Sequence, residues 1–266
     1  MKQTPKHNYF IFNGELKPVS DFVPSENEGG IYEVLRVVDG VPLFAEEHMD
    51  RFYASAALAG KAIRYEKQKI ISFIKELIDA NDVTFGNILV SCKVNLKAYF
   101  IAHQYPKASW YNSGVKCGIL HGERRNPHAK VFQTSVRQRA DELISAKGFY
   151  EVLLVDKYNR ITEGSRSNVF FVKDNTVVTP PQNEVLLGIT RQKTIQLATE
   201  SGIICREENI FLNDIPDFQA VFITGTSPKI LPVSQIDNLM FDAQNNVVQL
   251  LIRGYEKLTF EYISKK

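Results

Sequence analysis

The sequence predicts an α/β (α+β) protein with two domains. Its 266 residues suffice for one large domain or two of ordinary size. Both halves mix strand patterns with apolar residues at helical spacing. Between them, residues 104–125 combine a proline and three glycines with short apolar pieces, which is typical of a connecting segment. The expected divisions are an N-terminal domain at 1–112, a connector at 113–125 and a C-terminal domain at 126–266.

The N-terminal half begins with strands and continues with helices. Asn13-Gly14 lies between two short runs of strand residues and supplies the positive φ angles of a tight hairpin turn. A longer strand is expected at 31–38, before the turn residues Asp39-Gly40. The remaining elements expected in this half are helices at 46–58 and 66–78 and strands at 88–94 and 98–103.

The C-terminal half repeats this mixture. An apolar run at 151–155 is followed by a turn at 157–160, so that Glu163 lies near the end of a returning strand. Strands at 151–156 and 167–173 are expected to pair. The other expected elements are helices at 131–146, 190–201 and 246–263 and a strand at 219–224.

The composition excludes several classes of protein. The 32 basic and 30 acidic residues give a formal net charge of +2, which creates no long-range attraction for nucleic acid or an anionic membrane. No apolar run approaches the roughly 20 residues of a membrane-spanning helix. The first residues lack the apolar stretch of a secretory signal, and the three cysteines lie far apart. We therefore expect a reduced, cytoplasmic protein with small-molecule partners, without nucleic acid or membrane.

Four short motifs place chemically active residues at the ends of predicted elements. They are a lysine before a helix at 130–134, a glutamate and two serines at 161–168, a loop-to-helix junction at 187–191, and a Thr-Gly-Thr-Ser loop at 224–227. A helix start offers N–H groups and the positive end of the helix dipole, which suit a phosphate. Each motif alone also fits ordinary structure, because lone lysines are usually solvated and small residues often cap helices.

Taken together and in this order, across Tyr32 to Pro232, the motifs resemble those of the class IV pyridoxal-phosphate enzymes. The resemblance implies a two-domain fold type IV enzyme, similar to D-amino acid aminotransferase, that binds pyridoxal 5'-phosphate and forms a homodimer. It assigns Lys130 to covalent attachment of the cofactor. It assigns Glu163 to the pyridine nitrogen, where a carboxylate keeps the ring protonated and able to accept charge from the substrate.

The resemblance also predicts how the cofactor is held. Arg51, in a Glu-x-x-x-Arg pattern that begins at Glu47, matches the family's phosphate arginine, whose planar fork can grip two oxygens. Leu186 is expected to lie against the cofactor ring. The further cofactor-binding residues that it predicts are Ser167, Asn168, Gly188, Ile189, Thr190, Gly225 and Thr226.

The substrate pocket departs from the patterns of the family. Tyr32 and His103 resemble carboxylate-binding residues of the D-amino acid enzymes, but the arginine expected two positions before His103 is Ile101, which cannot pair with a carboxylate. Ser135 replaces the tyrosine that branched-chain enzymes carry five residues beyond the lysine. The candidates for substrate binding are Tyr32, Arg36, Lys93, His103 and Ser227, with Lys97 as a further possible cation.

Three functions remain open at this point. The leading hypothesis is an aminotransferase that moves an amino group between an amino acid, branched-chain ones included, and a 2-keto acid. The second is an aminodeoxychorismate lyase that releases pyruvate and 4-aminobenzoate, since both reactions share Lys130 and Glu163. The third is a non-catalytic relative that binds the cofactor. A metal site at His121, Glu123 and His128 is disfavoured because their spacing matches no ligand set.

Overall fold

A computed structural model describes residues 4–24, 29–124, 126–132 and 135–266 of the protein. The chain forms two compact units. The first unit contains Met1–Gln104, Ala129–Phe132 and Thr259–Lys266, and the second contains Tyr105–His128 and Gln133–Leu258. A short central segment that carries Lys130 thus belongs to the first unit, although most of the residues around it in the sequence belong to the second.

The first unit is an antiparallel six-stranded sheet with two helices, and the strand order is β2-β1-β6-β5-β3-β4. Its elements are β1 (Tyr9–Phe12), β2 (Glu15–Pro18), β3 (Ile31–Val38), β4 (Val41–Pro42), α1 (Ala45–Leu58), α2 (Lys67–Asn81), β5 (Phe85–Cys92) and β6 (Leu96–Ile101). Asn13 and Gly14 have φ angles of 50° and 84°, so the predicted hairpin turn between β1 and β2 is confirmed.

The two faces of this sheet have different surroundings. Alternate residues of β3, including Ile31 and Leu35, pack with apolar residues of α1 and α2 in one core. Tyr32, Val34 and Arg36 point to the opposite face, where a smaller apolar cluster includes Tyr99 of β6. The candidate substrate-binding residues of β3 therefore share the face that lies away from the helices.

The second unit is a ten-stranded mixed sheet with helices. The strand order is β12-β11-β10-β14-β15-β7-β8-β9-β13, with β16 paired to β15. Its elements are α3 (Trp110–Ser113), β7 (Val115–His121), α4 (Ser135–Lys147), β8 (Glu151–Val155), β9 (Arg160–Gly164), β10 (Asn168–Lys173), β11 (Thr176–Thr179), α5 (Ile189–Glu200), β12 (Ile204–Glu207), β13 (Ile210–Phe211), β14 (Ala220–Gly225), β15 (Lys229–Ile236), β16 (Leu239–Met240) and α6 (Asn246–Ile263). The part of α6 from Thr259 onward belongs to the first unit. Within the described ranges, no helix is long and apolar enough to cross a membrane.

The connector expected at 113–125 is corrected by this structure. Most of it forms β7, which pairs in parallel with both β15 and β8. Gly118 is part of that strand, and a side chain there would overlap the ring of Phe149. A glycine is needed at position 118 because the ring of Phe149 occupies the space of a side chain. The glycine that had indicated a loop is therefore a packing feature of a strand.

Two further predictions also need correction. The strand at 151–156 does not pair with 167–173, because the turn after β8 sends the chain directly back as β9, and β10 pairs with β11 and β14 instead. The helix predicted from residue 131 begins at Ser135, whereas Val131 forms a β-bridge with Ile31 and is therefore extended. Residues 133 and 134 lie outside the described part of the chain.

Candidate active site

Lys130 lies on a short extended segment that is held by the first unit. The backbone N–H of Tyr32 donates to the Lys130 carbonyl at 3.0 Å, and the N–H of Lys130 donates to Oγ of Ser55 in α1 at 3.1 Å. The Lys130 Nζ lies 4.9 Å from the centroid of the Tyr32 ring, which stacks on Phe132 with centroids 4.1 Å apart. The lysine therefore has a fixed backbone and an amine held at an aromatic face.

Arg51 forms part of a buried cluster with Glu33 and His48. Its Nε and Nη2 donate to Oε1 and Oε2 of Glu33, each at 2.7 Å, and Nδ1 of His48 lies 2.8 Å from Oε2. Glu33 is 0 % exposed. Burial alone would raise the pKa of Glu33, but the charge of Arg51 and the hydrogen bonds from Arg51 and His48 lower it to about 2. Burial lowers the pKa of His48, and this effect outweighs the opposite effect of the Glu33 carboxylate.

This cluster changes what Arg51 can offer to a phosphate. The Nε and Nη2 edge of the guanidinium already binds the Glu33 carboxylate in the fork geometry, so this edge cannot grip a phosphate at the same time. Because Glu33 is ionised and His48 is neutral, the charges of Arg51 and Glu33 cancel. Anion binding near Arg51 therefore depends on directed N–H groups more than on net positive charge.

Glu163 lies in β9 and is 3 % exposed. Its Oε2 accepts a hydrogen bond from the backbone N–H of Leu186 at 3.2 Å, and Nη1 of Arg124 lies 3.2 Å from its Oε1. Each oxygen of the carboxylate therefore has a donor among the described residues, which fixes the side chain in the second unit. The geometry fits the role that the resemblance predicts for Glu163.

The serine-rich turn between β9 and β10 is organised by Glu151, which the sequence did not single out. This buried carboxylate accepts hydrogen bonds from Oγ of Ser165 at 2.6 Å, the N–H of Arg166 at 3.1 Å and Oγ of Ser167 at 2.9 Å. Ser167 thus donates its hydroxyl within the turn, and its contact with the cofactor stays a prediction. The signal in the sequence was a carboxylate at the start of the otherwise apolar strand β8, which needs buried donors.

The start of α5 and the end of β14 are brought together by Asn168. Its Nδ2 donates to the Leu186 carbonyl at 2.8 Å, and a side chain on Gly188 would overlap its Oδ1. Asn168 also pairs directly with Thr224 of β14, so both side chains lie on one face of the sheet. Gly188 is the N-cap residue of α5 and makes no side-chain cap, so the first N–H groups of the helix, those of Ile189 and Thr190, are of the kind that can bind an anion.

These residues fit a phosphate. Oγ1 of Thr224 is buried and has no hydrogen-bond partner within the described ranges, which is a costly arrangement unless a ligand satisfies it. Gly225 pairs with Lys229, and Thr226, Ser227 and Pro228 form the turn between β14 and β15. The donors are backbone N–H groups and hydroxyls, which are the groups that phosphate oxygens accept from.

The structure separates the candidate substrate-binding residues by their surroundings. Arg36 is 7 % exposed, and its guanidinium carbon lies 5.2 Å from the centroid of the Phe85 ring. Lys93 lies in the exposed turn between β5 and β6, and His103 is exposed just after β6. Ser227 is half-buried in the turn after β14. All of these roles stay predictions.

A comparison with known proteins identifies the family. The model of the family "Amino-transferase class IV" matches residues 30–236, and the chain belongs to that family. The family assignment confirms the resemblance to class IV pyridoxal-phosphate enzymes and establishes an enzyme of the aminotransferase class or a related lyase. The matched range contains Lys130 and Glu163 and nearly all of the second unit's sheet.

Individual relatives show how far the similarity extends. The D-alanine aminotransferase of Bacillus licheniformis is 28% identical over 250 residues, which are 85% of this chain and 88% of the relative. The "Probable branched-chain-amino-acid aminotransferase" of Rickettsia bellii is 29% identical over 254 residues, or 86% and 87% of the two chains. The structure of the branched-chain amino acid aminotransferase of Thermobaculum terrenum, in its PLP form, superposes with a TM-score of 0.84 at 18% identity, covering 98% and 96%. The last comparison confirms the predicted fold type IV architecture.

Proposed function

We propose that this chain is a pyridoxal-phosphate-dependent aminotransferase that moves an amino group from an amino acid to a 2-keto acid. The observation that supports it most is the buried Glu163 carboxylate, which is held on both oxygens and lies within the family-matched range. Its burial, its contacts on both oxygens and its position in the family-matched range together support the role at the ring nitrogen that the resemblance predicts.

Each residue of the proposed site has a defined task. When bound, pyridoxal phosphate supplies an electron sink for the charge that develops at the substrate's α-carbon. Lys130 would hold the cofactor covalently through Nζ, and its amine would move the proton at the substrate's α-carbon. Glu163 would accept a hydrogen bond from the ring nitrogen and so keep that nitrogen protonated. The N–H groups of Ile189 and Thr190 hold the phosphate.

Arg36 is the proposed cation for the substrate carboxylate. Across the first sheet, Arg36 of β3 pairs with Asn87 of β5, and Asn87 pairs with Ile101 of β6, so the three side chains lie in one row on one face. Ile101 is the position at which the sequence lacks the arginine of the D-amino acid enzymes. Arg36 therefore lies on the same face of the sheet as Ile101, two strands away from it. Lys93, the other candidate cation, lies in an exposed turn.

The choice among substrates follows from the relatives and remains part of this proposal. The curated relatives at 28% and 29% identity include a D-alanine enzyme and a branched-chain enzyme. Ile101 stands where the D-amino acid enzymes are expected to carry an arginine that binds the substrate carboxylate. We therefore favour an L-amino acid with an apolar side chain. We also propose a homodimer and a cytoplasmic location; the free thiols of Cys92, Cys117 and Cys205 are consistent with a reducing compartment.

The visible absorption spectrum of the purified protein with pyridoxal phosphate tests this function. Wild-type protein is expected to show the band of covalently bound cofactor, and a substrate amino acid should remove that band and release a 2-keto acid. Adding L- and D-amino acids one at a time identifies the substrate class. A stable band that no amino acid changes, together with turnover of aminodeoxychorismate to 4-aminobenzoate, would replace the aminotransferase by the lyase. Absence of any band would indicate a non-catalytic relative.

A further inference from the structure

We propose that Arg124 is a positioning residue that holds the carboxylate of Glu163 in the orientation needed by the cofactor's ring nitrogen. The inference rests on the proposed function, because it concerns the same site. It adds a residue that neither the sequence motifs nor the family comparison singled out. Arg124 follows β7, in the segment where the sequence predicted a connector.

The backbone that carries Arg124 is fixed next to the hairpin that carries Glu163. The N–H of Gly122 donates to the carbonyl of Val155 at 2.9 Å, at the end of β8. Oε1 of Glu123 accepts a hydrogen bond from the N–H of Lys157 at 2.7 Å, in the turn between β8 and β9. These two contacts tie the segment just before Arg124 to the end of β8 and to the first part of the turn that follows it, so the hairpin fixes the backbone that carries the arginine.

The two contacts to Glu163 act on different oxygens. The N–H of Leu186 holds Oε2, and the guanidinium of Arg124 reaches Oε1, each at 3.2 Å. One hydrogen bond leaves a carboxylate able to rotate about its terminal bond, whereas two contacts on opposite oxygens define its plane. The plane decides where the remaining acceptor positions point, and a ring N–H bond needs an acceptor close to its own axis.

The charge of Arg124 is a second reason to assign it a role in positioning Glu163. The Glu163 side chain is 4% exposed and that of Arg124 15% exposed, so little water compensates either charge. A neighbouring cation favours the ionised form of a carboxylate. The ionised form has no proton of its own, so both of its oxygens can accept a hydrogen bond from a protonated ring nitrogen. Arg137 and Asp141 of α4 form a contrasting pair at 3.0 Å, but both side chains are more than a third exposed. Exposed pairs of that kind contribute little.

A double-mutant cycle measured on cofactor binding tests the proposal. The dissociation constant of pyridoxal phosphate is measured by absorbance after equilibrium dialysis, for wild type, Arg124→Gln, Glu163→Gln and the double variant. Arg124→Lys tests rescue by a residue that keeps the charge, and Arg137→Gln is the matched control. We expect Arg124→Gln to weaken binding about 10- to 100-fold, as for loss of a hydrogen bond to a charged group. In the Glu163→Gln background the same change should alter binding by no more than about twofold.

The outcomes distinguish this inference from the proposed function. Equal losses in both backgrounds would show that Arg124 acts independently of Glu163, and no loss in either would show that it does not act on the site; each result overturns the inference while leaving the aminotransferase in place. Wild-type protein that does not retain pyridoxal phosphate would overturn both. If circular dichroism shows that Arg124→Gln does not fold, Arg124→Lys is measured in both backgrounds instead. The inference then requires that Arg124→Lys weaken cofactor binding in the wild-type background, by less than Arg124→Gln would, and leave it unchanged in the Glu163→Gln background.

Discussion

The buried cluster of Glu33, His48 and Arg51 provides a quantitative prediction. Glu33→Gln removes the negative charge but keeps the size of the side chain, so Arg51 and its surroundings lose their counterion. Removing one partner of a buried ion pair costs about 3 to 5 kcal/mol. The pKa of Glu33 gives a comparable figure, because the difference between its usual value of 4.5 and about 2 corresponds to roughly 3 kcal/mol at about 1.4 kcal/mol per pH unit.

The pH dependence of this loss has a definite sign. The pKa of Glu33 is lower in the folded protein than in the unfolded chain, so its contribution is fully present above pH 4.5 and is lost as the pH falls toward about 2. Glu33→Gln lacks this component. The difference in stability between wild type and variant should therefore be largest at pH 7 and more than half lost at pH 3.

Hydrogen exchange of peptides from β3 and α1 measures this difference locally. A loss of about 3 kcal/mol should speed exchange there about 100-fold at pH 7. Trp110, the single tryptophan, lies in the second unit, so its fluorescence reports whether that unit stays folded. Glu15→Gln is the matched control, because its pair with Lys17 lies on the surface. Unchanged exchange in α1, or a difference of equal size at pH 7 and pH 3, would refute the reasoning.

Three further predictions concern other parts of the molecule. Lys130→Ala should abolish the visible band of covalently bound cofactor, and a retained band would remove Lys130 from its role. Gly118→Ala should lower stability by about 1 to 3 kcal/mol in thermal unfolding, because the new side chain overlaps Phe149 in the centre of the second sheet; an unchanged transition would mean that the ring moves aside freely. Arg36→Gln should raise KM for the amino acid about 10-fold or more, with cofactor binding unchanged; an unchanged KM would exclude it as the carboxylate partner.

Local sequence patterns predicted several elements well. Strand β3 has the predicted bounds because its run of strand residues ends at the turn residues Asp39-Gly40. Helix α6 has the predicted bounds because apolar residues recur at helical spacing along its whole length. The pairing of strands was not predictable in the same way. Which strand lies beside β8 depends on how tightly one turn closes, and the partner of β10 comes from residues far along the chain.

The site was predictable only in part for a related reason. Motifs indicated Lys130 and Glu163 because those residues lie at recognisable junctions of strand, loop and helix. The residues that organise the surroundings are defined by buried partners elsewhere in the chain. Arg124 contacts Glu163, Glu151 binds the serine-rich turn, and Glu33 binds Arg51. A charged residue inside an apolar strand, as at Glu33 and Glu151, was the available signal, but it indicates a buried partner without identifying it.

The central place of β7 has a consequence for how the chain is made. Every strand of the first sheet lies between residues 9 and 101, so that sheet is complete early in synthesis. The second sheet cannot close around β7 until β15 has been made, near the other end of the unit. Long-range parallel pairing is slow, and β7 keeps one unpaired edge in the meantime. A nascent chain that ends before β15 is therefore prone to aggregation, because the unpaired edge of β7 can pair with a strand of another chain.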